Sequence, residues 1–145
     1  MSDDRVIIAG GGIGGFATAL TLQQIGVPCL VIEQVAELKP LGVGINLQPN
    51  AVRELMDLGF TVEDMNGLGV PAREWALVGR QGQEIYAEPR GKDAGYHWPQ
   101  YAAHRGQFHM ALYQRFRELA GDASIWLGAR ATAYRTLDDG CVAVT

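Results

Sequence analysis

Two uninterrupted apolar runs bracket a helix-spaced pattern at the start of the chain. Val6 to Ala9 is short, apolar and rich in β-branched residues, as a strand buried on both faces of a parallel sheet requires. From about Ile13 to Ile25 the apolar positions fall at helical spacing, with Ile13, Ala17, Leu20 and Ile25 expected on one face. Gly26 is the natural stop for that helix, and Pro28 prevents its continuation. Cys29 to Ile32 then forms the second buried run, with Glu33 as the polar residue at its end. A similar order returns later. Gln107 to Leu119 reads as an amphipathic helix with Phe108, Leu112, Phe116 and Leu119 on one face, Gly121 as its stop, and Ser124 to Leu127 as a third buried strand. Right-handed crossovers set the strand order 3-2-1, so the fold class is α/β with a small parallel sheet of the doubly wound, Rossmann-like kind.

The middle of the chain is patterned differently. Gly42 and Gly44 alternate with apolar residues between Pro40 and Pro49, where the backbone can approach something flat. Asn50 is the expected N-cap of a helix over Ala51 to Leu58, stopped by Gly59, with Val52, Leu55 and Met56 on its packed face. Thr61 to Leu68 reads as a short helical or irregular piece. Ala72 to Val78 and Glu84 to Ala87 are paired strands joined by the turn Gly79 to Gly82. The segment from Pro89 to Pro99 is a loop. Its Tyr96, His97 and Trp98, with Tyr101 beyond it, either line a site or pack the loop down. Tyr101 to His104 is a short strand. Ala129 to Arg135 and Cys141 to Thr145 flank a hairpin turn at Leu137 to Gly140.

The glycines between the first strand and the first helix bring in chemistry. Gly10, Gly12 and Gly15 have the spacing Gly-x-Gly-x-x-Gly, which serves a tight turn, close backbone approach to a pyrophosphate, and close helix–strand packing. The helix N-terminus behind them supplies N–H groups and a favourable dipole for phosphate. Glu33 lies 18 residues beyond Gly15, where a carboxylate accepts hydrogen bonds from the adenosine ribose hydroxyls. Such an acid suits a free 2′-hydroxyl, as in FAD or NAD, and repels a 2′-phosphate. Preceding strand, following helix, second strand and terminal acid are the full context that the motif needs.

Composition removes several other classes. A net charge of −4 over 145 residues argues against a nucleic-acid or anionic-membrane surface. The acidic Met-Ser-Asp-Asp start lacks a secretory n-region, and no apolar run approaches the length of a membrane span. Cys29 and Cys141 form no CxxC pair and are expected as reduced thiols of a cytoplasmic protein. His97, His104 and His109 show no zinc-site spacing, so no metal is expected, and nothing resembles a Ser-His-Asp or Cys-His arrangement.

Together these residues resemble the flavin-dependent aromatic hydroxylases of the para-hydroxybenzoate hydroxylase type. The extended nucleotide pattern is carried by Gly10, Gly12, Gly15, Ala19, Gly26 and Glu33. Leu41 to Val52 looks like the segment that runs beside the isoalloxazine, and Pro99 to Gln107 like the family's Arg-x-x-Leu entry to a helix, with Phe108 where leucine is usual. Glu88 to Gly91, Pro99 to Tyr101 and His104 to Gly106 are most like the phenazine-modifying branch. The resemblance implies FAD as cofactor and NAD(P)H with O2 as co-substrates for hydroxylating a small aromatic, phenazine-like molecule. It places the pyrophosphate on Gly12, Ile13, Gly14 and Gly15, with Gly10 also at the cofactor, and the adenosine ribose on Glu33. Arg105 would reach the pyrophosphate and ribityl region, Val43 and Gly44 would border the flavin ring, and Arg130 would touch the adenine side through its backbone. Gln34 stands where many members carry arginine. The resemblance also implies an FAD-binding domain over residues 1–71 and 100–145, with 72–99 joining a substrate domain. The family's later Asp-Gly flavin motif has no counterpart, since Asp139-Gly140 reads as a turn. The chain is therefore expected to be the N-terminal piece of a longer enzyme, with the rest of that enzyme as its partner. The competing readings are a non-catalytic dinucleotide-binding module and a fragment of an NAD-dependent oxidoreductase.

Overall fold

The computed structural model describes residues 5–145. The chain divides into two compact units, one running up to Pro40 and resuming from His109 to Thr145, the other from Leu41 to Phe108.

The first unit opens with strand β1 (Val6–Ala9), helix α1 (Ile13–Gln24) and strand β2 (Cys29–Glu33). Strands β1 and β2 pair in parallel from Val6–Cys29 to Ala9–Ile32. Strand β8 (Ile125–Leu127) joins the other side of β2, also in parallel, which gives the predicted 3-2-1 order. Cys29, Leu30, Val31 and Ile32 are all buried, as expected for the central strand of a parallel sheet. Neither edge strand is the buried strand expected: Val6, Ile7 and Ala9 of β1 and Trp126 of β8 are exposed, because only β2 has a neighbour on each side. Strands β9 (Tyr134–Thr136) and β10 (Val142–Val144) form the expected hairpin over Leu137 to Gly140.

Helix α1 ends one residue before the expected limit, with Ile25 as C-cap and Gly26 at φ +74° just beyond. Its buried face also differs. Phe16, Ala19 and Leu20 are buried, whereas Ile25 is exposed and Ile13 and Ala17 only half-buried. Phe16 decides the rotation. Its ring meets Tyr113 and Phe116 of helix α4 (Arg105–Ala120), with centroids 5.4 and 6.3 Å apart. An aromatic ring buries more apolar area than Ile13 or Ala17, so its position sets the face that goes inward. On α4, Phe108, Leu112 and Phe116 are buried as predicted, but Leu119 is exposed in the last turn.

The second unit holds a sheet that the apolar pattern does not reveal. Strands β3 (Gly44–Leu47), β7 (Gln100–His104) and β4 (Gly69–Ala72) pair antiparallel in the order β3-β7-β4. Helix α2 (Pro49–Asp57) starts earlier than expected. Gln48 is its N-cap and Pro49 takes the first helical position, where its missing N–H costs nothing, so Asn50 lies inside the helix. Val52 and Leu55 are its buried apolar residues, and Met56 is only half-buried. Helix α3 (Val62–Leu68) begins with a capping box between Thr61 and Asp64. The expected hairpin forms between β5 (Glu74–Val78) and β6 (Glu84–Pro89), its first strand starting two residues late because Ala72 ends β4. The loop aromatics separate. Tyr101 is buried with its hydroxyl donating to Asn66 Oδ1 at 2.9 Å, and burial pushes its ionisation upward. Tyr96 is exposed.

Candidate functional site

The glycine turn is built by three different constraints. Gly10 closes strand β1 at φ +109°, a conformation that an L side chain rarely adopts, and its N–H donates to the Ile32 carbonyl at 2.8 Å. Gly15 has no room for a side chain. A Cβ there would lie 2.0 Å from the Gly10 carbonyl oxygen and 3.5 Å from an Ile8 methyl. Gly12 and Gly14 are the opposite case. Both are exposed, and a Cβ at either meets nothing within 4 Å. The turn is thus closed toward the strand and open along the start of helix α1. Gly12 is the helix N-cap, in extended conformation, and its carbonyl accepts the Phe16 N–H at 3.0 Å. Ile13 and Gly14 begin the first turn, where N–H groups without helical acceptors are available to an anion.

Glu33 faces this turn. Its carboxylate accepts the Gly11 N–H at Oε2, 2.7 Å, and the Val35 N–H at Oε1, 3.0 Å. Gly11 is buried, and a Cβ on it would come within 3.0 Å of Glu33 Cβ. The acid and the turn are therefore in direct contact. A cleft of about 180 Å³ opens beside them, lined by Gly10, Ile32, Glu33, Gln34, Ala129 and Arg130 among others. The Ala129 N–H donates to the Glu33 carbonyl at 3.0 Å, which lays the backbone leading into Arg130 along the end of β2. Gly10, Glu33, Gln34 and Arg130 are thus brought to one hollow. A larger hollow of about 800 Å³ runs along β1 and the β9–β10 hairpin. It is walled by apolar residues such as Val6, Ile7 and Val142 and contains neither Glu33 nor Gly12.

The remaining candidates lie in the second unit. The Arg105 N–H donates to the Val43 carbonyl at 2.9 Å, and Gly44 pairs with His104 across β3 and β7. A Cβ on Gly42 would lie 3.4 Å from Arg105 Nη1, so the arginine side chain lies over that glycine. His104 Nδ1 accepts the Gln107 N–H at 3.3 Å and caps the first turn of α4. Val43, Gly44 and Arg105 are all exposed, so this cluster is open to a ligand.

Two residues that shape the turn, Gly11 within it and His109 on α4, carry no motif signature of that role. Gly11 matters through its contact with Glu33, and its only signal is that three glycines run together where the fingerprint needs two. His109 Nε2 lies 2.5 Å from the Gly11 carbonyl oxygen, and its ring stacks obliquely on Phe16 at 5.7 Å. No spacing rule links α4 to the glycine turn, so nothing in the sequence points to that contact. Among the described residues, no group of three His, Cys, Asp or Glu is arranged to hold a metal, and no helix is long and apolar enough to cross a membrane. Cys29 is a buried free thiol whose ionisation is pushed up by burial, the opposite of an activated nucleophile.

The profile of the FAD binding domain family matches residues 3–115. The chain is 42% identical over 126 residues to phenazine 1,6-dicarboxylic acid hydroxylase PhzS of Lysobacter antibioticus, covering 86% of this chain and 31% of that protein. It is 32% identical over 136 residues to the aurachin C monooxygenase/isomerase of Stigmatella aurantiaca, covering 93% of this chain and 34% of that one. Among solved structures, the tetrameric form of 2-methyl-3-hydroxypyridine-5-carboxylic acid oxygenase superposes with a TM-score of 0.75 at 26% identity, over 99% of this chain and 38% of the other. The chain spans about a third of the length of the relatives that it matches.

Proposed function

The chain belongs to the FAD binding domain family, and on that premise we propose that it holds the FAD of a flavin-dependent aromatic hydroxylase. The observation that carries this reading is the asymmetry of the glycine turn, closed at Gly15, open at Gly12 and Gly14, with the Glu33 carboxylate at its side. A diphosphate needs backbone N–H groups that it can approach and no side chain in the way, and a ribose needs an acceptor beside it. Gly12, Ile13, Gly14 and Gly15 take the diphosphate, on the turn that Gly10 makes. Glu33 accepts from the ribose hydroxyls, while Gln34 and the Arg130 backbone border the adenine. Val43 and Gly44 border the flavin ring, and Arg105, a cation beside them, binds the diphosphate and ribityl chain.

The flavin, when bound, supplies the redox and oxygen chemistry; these residues bind it, orient it and exclude water. NAD(P)H and O2 are the co-substrates, and the substrate is a small aromatic ring of phenazine-like type, as the name of the Lysobacter relative supports. Residues 1–71 and 100–145 serve the FAD, and 72–99 join a substrate domain supplied by the rest of the longer enzyme. The protein works in the cytoplasm, and its net charge of −4 gives nucleic acid nothing to bind.

The test is a spectrum of the purified protein titrated with FAD, FMN and NAD. FAD is expected to bind with a perturbed flavin absorption band, and FMN, which lacks the adenosine half, to bind far more weakly. Binding of NAD in preference to FAD overturns the reading.

A further inference from the structure

We propose that His109 is a positioning residue that aims the Gly12 amide at the diphosphate, a role that rests on the FAD reading above. The contact is between His109 Nε2 and the carbonyl oxygen of Gly11 at 2.5 Å. A carbonyl only accepts, so the imidazole donates and its proton sits on Nε2. No cis peptide bond occurs among the described residues, so the Gly11–Gly12 unit is trans and planar. In such a unit the carbonyl of Gly11 and the N–H of Gly12 point in opposite directions. Holding the carbonyl against His109 turns the Gly12 N–H away from α4, and the exposed side of Gly12 is open.

Gly11 is held at both of its polar groups. Its N–H is fixed by Glu33 Oε2 at 2.7 Å and its carbonyl by His109, while the His109 ring is steadied by Phe16. A glycine without these restraints samples a wide range of backbone angles, and the N–H that follows it would rotate with it. Preorganising a donor before the ligand arrives removes that ordering cost from the binding step. The effect is local to the diphosphate: the adenosine contacts at Glu33, Gln34 and Arg130 do not depend on which way the Gly12 amide points.

The experiment compares His109→Leu, which removes the donor, with His109→Gln, whose amide can replace it, using FAD, ADP and AMP as probes. Loss of one hydrogen bond on the binding path is expected to weaken FAD and ADP roughly tenfold in His109→Leu and to leave AMP within about twofold. His109→Gln should return FAD to within about threefold of the wild type. Unchanged FAD affinity in His109→Leu, an equal loss for AMP, or no recovery with His109→Gln overturns the proposal. Nitrogen NMR of the wild-type imidazoles tests the tether without any ligand, and separately from the FAD reading. A His109 ring protonated at Nε2, with slow exchange of that proton, is expected; a bare Nε2 overturns the tether even if FAD binds. Conversely, a wild-type protein that ignores FAD and ADP defeats both the FAD reading and the diphosphate role.

Discussion

The β1–α1–β2 segment and the β5–β6 hairpin are both rich in apolar residues, yet they bury them very differently. In the first, every apolar residue of β2 is buried and Phe16, Ala19 and Leu20 of α1 are closed off. In the hairpin, Trp75, Leu77, Val78, Ile85 and Tyr86 are all exposed. The strands still pair from Glu74–Pro89 to Val78–Glu84, with a turn held by Gly79 and Gln83. Trp75 and Tyr86 lie at 6.1 Å across the pair, and the Arg90 guanidinium lies over Trp75 at 5.9 Å. Helix α1 and strand β2 owe their shape to burial, even though Val6 and Ile7 of β1 are exposed, and the hairpin owes its shape to pairing and turn chemistry. The difference shows where a substitution will be felt as lost folding and where it will be felt only at a surface.

The largest break is expected at Gly15. Gly15→Ala puts a methyl 2.0 Å from a backbone oxygen, which no rotamer relieves. Overpacking of that kind costs about 3 kcal/mol, read as a fall of roughly 10 °C in melting temperature by calorimetry. A melting point unchanged within error means that α1 does not pack on β1 as described. Next is Glu33→Gln, which keeps the shape but removes the charge from the bond to the Gly11 N–H. Charge-assisted bonds are roughly twice as strong as neutral ones, so FAD affinity should fall about tenfold by fluorescence titration. Equal affinity would remove Glu33 from the ribose site. Smallest is Trp75→Ala, since this side chain is already exposed and lies against the Tyr86 ring and the Arg90 guanidinium at the surface. Its cost should stay within about 1 kcal/mol in denaturant unfolding. A loss comparable to that at Gly15 would show that the hairpin is a folding element after all.

The same contrast explains what the sequence reveals. Cys29 to Glu33 was legible because a parallel strand buried on both faces leaves an unbroken apolar run; Val6 to Ala9 carries a similar run although it lies at the sheet edge with Val6 and Ile7 exposed, and the glycines between the two follow a backbone requirement local to the turn. The strand Gly44 to Leu47 was not legible. It carries Gly44 and Asn46 on one face and is defined by its pairing with β7, more than fifty residues away in sequence. Helical spacing puts Ile13 on the buried face of α1 and leaves Phe16 off it, because spacing alone does not say which stripe wins; the rings of Tyr113 and Phe116 decide it. Asn50 lost the cap to Gln48 because Pro49 is preset for the first helical position. His109 is the extreme case, a long-range contact with no local signature.

The central claim is that the open side of the glycine turn receives the diphosphate of FAD. Gly12→Val tests it most directly, because Gly12 is in extended backbone and a Cβ there touches nothing in the protein. An unchanged melting temperature for the ligand-free protein and no detectable FAD binding by titration are expected. FAD binding at wild-type affinity in a folded Gly12→Val protein would contradict it.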